Sequence, residues 1–202
     1  MFPAGGTLAW HGLAVRESPD LSAPRVAVLY EFRPDYRPQV VFALGVRAGA
    51  DGRPWYHLLL AARPNGTTGW VPAAGVELRP TPMRIVVRRS TRTLEVYRGA
   101  NRVFRTIVAV GASGTETPLG AFYLMTEFRP TESFYGAWAF ETSAYSPTLT
   151  DWPGGGKIGI HGTNEPQLLG QAVSHGCIRV SNAAAQRLHE LVSPGTALRI
   201  VA

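Results

Sequence analysis

The sequence predicts a mainly β protein: a small N-terminal β-barrel, then a larger β-rich unit with one clear helix near the C-terminus. Three observations carry this. Among 202 residues there are 22 glycines and 16 prolines, spread along the chain, a density that suits short strands and turns better than long helices. The apolar runs are short and bounded by turn residues, and one stretch alone, near residues 181–192, has helical periodicity. Hydrophobic residues make up 45% and charged residues 17%, enough apolar surface for a core. The length accommodates two small domains, which we place at residues 1–80 and 81–202.

In the first part, Leu8–Val15, Arg25–Tyr30, Val40–Arg47, Trp55–Leu60 and Gly69–Pro72 are strand-like. Ser18-Pro19-Asp20, Asp51-Gly52 and Pro64-Asn65-Gly66 break them apart. Five short strands in about eighty residues predict a small barrel. Glu77–Met83, with two prolines among polar residues, reads as a linker.

Beyond it, Arg84–Arg88, Thr93–Tyr97 and Arg102–Val110 are successive strands, the last two joined by a Gly99-Ala100-Asn101 turn. Ala121–Phe128 is a further strand. Residues 129–156 are irregular and aromatic (Phe134, Tyr135, Trp138, Phe140, Tyr145, Trp152) and close on Gly154-Gly155-Gly156. This segment is either a lid or substrate wall, or an ordinary meander of short strands. A short helix is expected near Pro166–Gly170. In the main helix, Ser181 or Asn182 caps the start and Ala184, Ala185, Leu188, Leu191 and Val192 share an apolar face. Pro194-Gly195 stops it, and Ala197–Val201 is a closing strand.

The net charge is +6, and Lys157 is the only lysine. Up to residue 80 there are eight arginines against six acids; beyond it, eleven arginines and Lys157 stand against eight. The excess is distributed, without the basic block that tracks nucleic acid, so no nucleic-acid partner is expected. A single cysteine makes no intramolecular disulfide and gives no framework evidence for secretion. Met1–Trp10 lacks a basic segment followed by a long apolar run. Val40–Val46 and Leu58–Ala62 are far too short to span a bilayer, so no transmembrane segment is expected.

The chemistry concentrates in Lys157–Val180, KIGIHGTNEPQLLGQAVSHGCIRV. A short apolar strand, Ile158–Ile160, delivers His161 at its end, sixteen residues before Cys177. Adjacent strands joined by such a loop can bring imidazole and thiol face to face. A free thiol has a pKa of about 8.5, so only a few per cent is thiolate near neutrality. A neighbouring imidazole can take its proton and later protonate a leaving amine. Gly176, beside the nucleophile, lets backbone N–H groups approach a developing oxyanion. Nucleophile, base and oxyanion donors are what acyl transfer requires. The same residues leave other possibilities open: Cys177 as an inert buried residue, or His161, His175 and Cys177 as three zinc ligands lacking a fourth at suitable spacing. His189 is expected at a rim, while His57 and His11 are expected to be structural. The Gly111–Gly114 loop resembles a phosphate cradle only superficially, because it lacks the P-loop lysine.

The pair HGT and SHGCIR closely resembles the signature of the L,D-transpeptidase catalytic domain, and the resemblance spans residues 83–202. IVVRRSTRTLEVYRG at its start, TPLGAF, and the final helix leading to GTALRIV agree in order. LAVRESPDLSAPRVAVL, WYHLLL and GWVPAAGVEL, within residues 7–79, resemble the bacterial Src-homology-3-like domains attached to wall enzymes. That likeness implies either a targeting or peptide-binding role or a packing domain without ligand.

The catalytic resemblance implies a peptidoglycan L,D-transpeptidase with Cys177 as the acylated nucleophile and His161 as proton donor and acceptor. It implies that the Gly162 carbonyl orients the imidazole, that His175 lines the pocket, and that N–H groups around His175–Cys177, including Gly176, form the oxyanion hole. Arg179 would brace the loop or steer a carboxylate, and Ser174 would be structural. The implied partners are donor and acceptor stem peptides, with carbapenem acylation of the cysteine. No metal or organic cofactor is implied, and the implied location is the periplasm or wall exterior. An L,D-carboxypeptidase using water, or a non-catalytic wall-binding protein, would share these features.

Overall fold

A computed structural model describes residues 2–151 and 155–202. Trp152 and Gly154, counted above in the aromatic segment and its glycine run, lie outside them. The fold is mainly β. Strands β1 (Ala4–Leu8), β2 (Gly12–Arg16), β3 (Arg25–Tyr30), β4 (Val40–Ala48), β5 (Pro54–Leu59), β6 (Thr68–Pro72) and β7 (Val76–Leu78) form one seven-stranded sheet in the order β3-β2-β6-β5-β4-β1-β7. Each pairing in it is antiparallel. Alternate side chains such as Leu13, Val15, Val41, Ala43, Leu58 and Val71 turn inward to its own core.

Two expectations shift in detail. Leu8–Val15 is two strands, because the chain turns at exposed Trp10. The segment read as a linker begins two residues later: Glu77 and Leu78 pair with Thr7 and Gly6 in β7. The backbones come that close because a Cβ on Gly6 would lie 2.4 Å from the Glu77 carbonyl oxygen.

The remaining chain supplies β8 (Met83–Arg88), β9 (Thr93–Arg98), β10 (Asn101–Ile107), β11 (Val110–Gly111), β12 (Gly120–Phe128), β13 (Ala139–Tyr145), β14 (Lys157–His161), β15 (Ala172–Ser174), β16 (Ile178–Arg179), the helix α1 (Asn182–Leu191) and β17 (Ala197–Val201). Eight of these strands form one sheet, β10-β9-β8-β17-β12-β13-β14-β16. The stretch read as one strand to Val110 breaks after Ile107, where Ala109 bridges to Arg179 and β11 pairs with β15. That step carries the chain from the sheet to the cysteine loop. Residues 129–151 divide between both readings: β13 is regular strand, whereas Ser133–Tyr135 is a single 3-10 turn.

Helix α1 is capped by Ser181, whose hydroxyl accepts the Ala184 N–H, satisfying one of the helix's orphan donors. Its buried residues Ala184, Ala185 and Leu188 join Ile85, Val96, Leu124, Phe140, Ile160 and Ile178 in the large core.

A third cluster joins the two sheets. Val40, Phe42 and Leu59 from the first pack against Tyr123 and Met125 of β12. The Phe42 and Tyr123 rings stack at 5.2 Å with an interplanar angle of 4°. Asn65 adds two bonds to the backbone of Tyr145, at 2.9 Å and 2.7 Å. Gly5 lies so close to Gly195 that a Cβ there would meet its Cα at 2.4 Å. Phe42→Ala, which empties half of the stacked pair, is expected to lower global stability by about 3–5 kcal/mol, read as a shift in the urea midpoint.

Candidate active site

Strand β14 ends on His161, and β16 runs parallel beside it, with Ile160 opposite Ile178 and His161 opposite Arg179. Side chains alternate across a strand. With Ile160 and Ile178 in the core, His161, Arg179 and Cys177, one residue before β16, turn to the other face. There His161 and Cys177 line one cavity of about 360 Å³. The Gly159 N–H points at the Cys177 sulfur at 3.4 Å.

His161 is buried, and its Nδ1 lies 2.6 Å from the Gly162 carbonyl oxygen. A carbonyl only accepts, so Nδ1 carries the proton and Nε2 keeps its lone pair. Tyr135 meets the ring edge-on at 5.0 Å. Burial pushes the His161 pKa down to about 4; the Gly162 hydrogen bond opposes the shift and the Arg179 charge adds to it. Burial raises the half-buried Cys177 thiol above its ordinary value, opposed by the Gly159 N–H and the Arg179 charge. At neutral pH the site therefore holds a neutral imidazole beside a neutral thiol.

The cysteine loop is fixed by hydroxyls. Ser174 Oγ donates to the Cys177 carbonyl at 2.5 Å and accepts the Gly176 N–H at 3.2 Å. Buried Thr117 accepts the Gly111 N–H at 2.9 Å and donates to the Gly176 carbonyl at 2.8 Å. Thr115 Oγ1 donates to the Ser174 carbonyl at 3.1 Å. Gly176 has φ +115°, and a Cβ there would lie 2.7 Å from Ile158 Cδ1, so both conformation and space require glycine. Arg179 is buried, paired with Glu165 at 2.8 Å and set over the Phe134 ring at 4.7 Å. His175 is exposed. Among the described residues, the cavity wall includes His161 and Cys177 but not Gly162, Ser174, His175, Gly176 or Arg179.

Part of the remaining wall comes from the segment read above as a substrate wall or a meander, and the rest was not legible from the motif. Phe128, Tyr135, Glu141 and Lys157 contribute to it, and Lys157, the one lysine, pairs with Glu141. Beside them stand Arg33, Asp35 and Arg37, from the loop between β3 and β4 of the first sheet. Asn182, considered above as a possible cap, instead accepts the N–H groups of Ala137 and Thr163 at 3.0 Å and 3.2 Å. The three remaining histidines lie outside this cavity's wall: His189 stacks on Trp138 at 3.6 Å, His57 on Trp70 at 4.6 Å, and His11 sits 2.5 Å from Glu31.

Two outcomes follow. Thr117→Val leaves the Gly111 N–H and Gly176 carbonyl unpaired and is expected to cost about 1–3 kcal/mol, measured by denaturant unfolding. Protonation of His161 is disfavoured in the fold, whose pKa of about 4 lies below the ordinary 6.5. Above about pH 6.5 neither state is charged; as pH falls toward 4 the unfolded chain takes the proton first, so stability drops by up to about 3 kcal/mol. His161→Gln should flatten this segment of the stability–pH curve; an unchanged slope would rule out His161 as its source.

Residues 82–201 match the family model described as the L,D-transpeptidase catalytic domain, YkuD. The chain is 33% identical over 158 residues to the YkuD protein of Bacillus licheniformis, covering 75% of this chain and 89% of that protein. With the YkuD protein of Bacillus subtilis it shares 36% identity over 120 residues, 59% of this chain and 66% of that one. L,D-transpeptidase 3 from Mycobacterium tuberculosis has the same fold at 13% identity, with a TM-score of 0.52 over 98% of this chain and 99% of that chain. The matched segment contains both strands that bring His161 and Cys177 to one cavity, and the chain belongs to the L,D-transpeptidase catalytic-domain family.

Proposed function

We propose that the protein is a peptidoglycan L,D-transpeptidase in which Cys177 is the acylated nucleophile and His161 the acid–base group. The observation that carries this is His161, its Nδ1 held by the Gly162 carbonyl, on the same cavity wall as the thiol.

The sulfur passes its proton to His161 Nε2 and attacks. The attacked group is the carbonyl of the third residue of a tetrapeptide stem. A carbon–sulfur bond forms and the carbonyl becomes an oxyanion. The Gly176 N–H already donates to Ser174, so the oxyanion is received by the other backbone N–H groups around His175–Cys177. Collapse breaks the peptide bond, and the imidazolium returns its proton to the departing D-alanine amine. An amine of a second stem then attacks the thioester, giving its proton to His161, and the cysteine leaves as a thiol reprotonated from the imidazolium. Arg179, tied to Glu165, braces the loop.

On this proposal the partners are stem peptides on both sides and the compartment is the periplasm or wall exterior. Residues 1–80 act as a Src-homology-3-like domain docked against the catalytic domain at 81–202.

Incubation with a carbapenem should add the drug's mass to Cys177, and a reduced protein that acquires no adduct would sink the assignment. A defined tetrapeptide with an amine acceptor should yield cross-linked dimers; shortened tripeptides alone would mean that water is the acceptor. Cys177→Ala should cut turnover by more than about a thousandfold with folding intact.

A further inference from the structure

The catalytic cavity is closed on one side by a piece of the first sheet. The loop between β3 and β4 is tightly built: Arg33 N–H donates to the Arg37 carbonyl at 2.9 Å, Tyr36 N–H to the Arg33 carbonyl at 2.9 Å, and Arg37 N–H to Asp35 Oδ1 at 3.3 Å. A bridge between Phe32 and Pro38 closes its base. The Phe42–Tyr123 cluster seats the sheet beneath it. Arg33 and Arg37 are therefore presented to the cavity by a fixed frame, so holding them there adds little ordering cost on binding.

The charges on this wall do not cancel. Arg33, Arg37 and Lys157 face it together with Asp35 and Glu141, three cations against two carboxylates. Glu141 is shared, accepting from Arg33 at 2.8 Å and pairing with Lys157. Asp35 takes Arg33 at 2.7 Å. Arg37 has no ion pair among the described residues; its guanidinium lies over the Phe128 ring at 4.8 Å. Arg33, whose side chain is 8% exposed, has a second unsatisfied feature: its Nη1 is buried without a hydrogen-bond partner. One surplus cation thus shares a cavity with the thiol, and the neighbouring guanidinium carries a buried donor without a partner.

We infer that Arg37, with Arg33 beside it, forms a carboxylate subsite that recognises the free C-terminus of the donor peptide. This rests on the proposed acyl transfer, in which the leaving residue carries a terminal carboxylate one residue beyond the attacked carbonyl. A residue spans about 3.5 Å, so that carboxylate lies close to the thiol, and the cavity that the thiol lines is also walled by both arginines. A guanidinium meets a carboxylate with two parallel N–H bonds. The subsite selects peptides whose scissile bond is the last one, and the first sheet, not the cysteine loop, supplies that selection.

Binding is measured by calorimetry on the full chain carrying Cys177→Ala, using a tetrapeptide ending in D-alanine and the same peptide amidated at its C-terminus. The free acid should bind about tenfold more tightly than the amide, as expected for one charge-assisted contact. Adding Arg37→Gln should erase the preference while leaving amide affinity unchanged, and Arg37→Lys should restore part of it. Equal binding of acid and amide, a preference that survives Arg37→Gln, or no binding of either peptide would each overturn the subsite. Turnover by the protein with its cysteine intact is scored separately: acid-selective binding without turnover would leave the subsite standing and remove the proposed reaction.

Discussion

The parallel pairing of β14 with β16 is the constraint on which the site depends. Two short strands, one ending in histidine and one following cysteine, are held in a register that puts Ile160 and Ile178 into the core together. Because side-chain direction alternates, that choice sends His161, Arg179 and Cys177 to the opposite face. A slip of one residue would exchange the faces and bury imidazole and guanidinium among apolar side chains, at a cost the large core does not tolerate. The hydrophobic register and the chemical register are thus the same object.

Around that pairing, the structure invests its hydrogen bonds in the backbone rather than in the reacting groups. Ser174, Thr115 and Thr117 fix the cysteine loop through carbonyls and N–H groups. Asn182 does the same for the turn after His161. The imidazole receives one backbone carbonyl and no carboxylate, and burial keeps it neutral. A carboxylate partner would favour the imidazolium; a carbonyl fixes the tautomer without doing so. The imidazole is thus held in one tautomer on the wall that also carries the thiol.

Much of this was legible in the sequence, for identifiable reasons. The helix showed itself through its Ser181 cap and apolar spacing, and the two motifs pointed to His161 and Cys177, which the fold brings to one cavity. The strand at Leu8–Val15 and the linker at Glu77 were misjudged because their boundaries are set by distant partners, Gly75 for the first turn and Thr7 for the second. The bonding roles of Thr115 and of Thr117, the first residue of TPLGAF, were hidden, since their carbonyl partners lie 59 residues away. The cavity's far wall was invisible for the same reason: nothing in Phe32-Arg33-Pro34-Asp35-Tyr36-Arg37-Pro38 distinguishes it from a solvated turn until the first sheet is docked.

That docking changes what the N-terminal part of the chain is. A module joined only by a tether can be exchanged or deleted with its neighbour indifferent to the loss. Here the Phe42–Tyr123 stack makes the first sheet part of the enclosure around the thiol, so the family-matching segment 82–201 is not a self-sufficient vessel. Recombination that replaced the first sheet would redraw the wall of that cavity. Substrate choice in such a chain can therefore diverge through loops that lie far from the cysteine motif and under none of its chemical constraints.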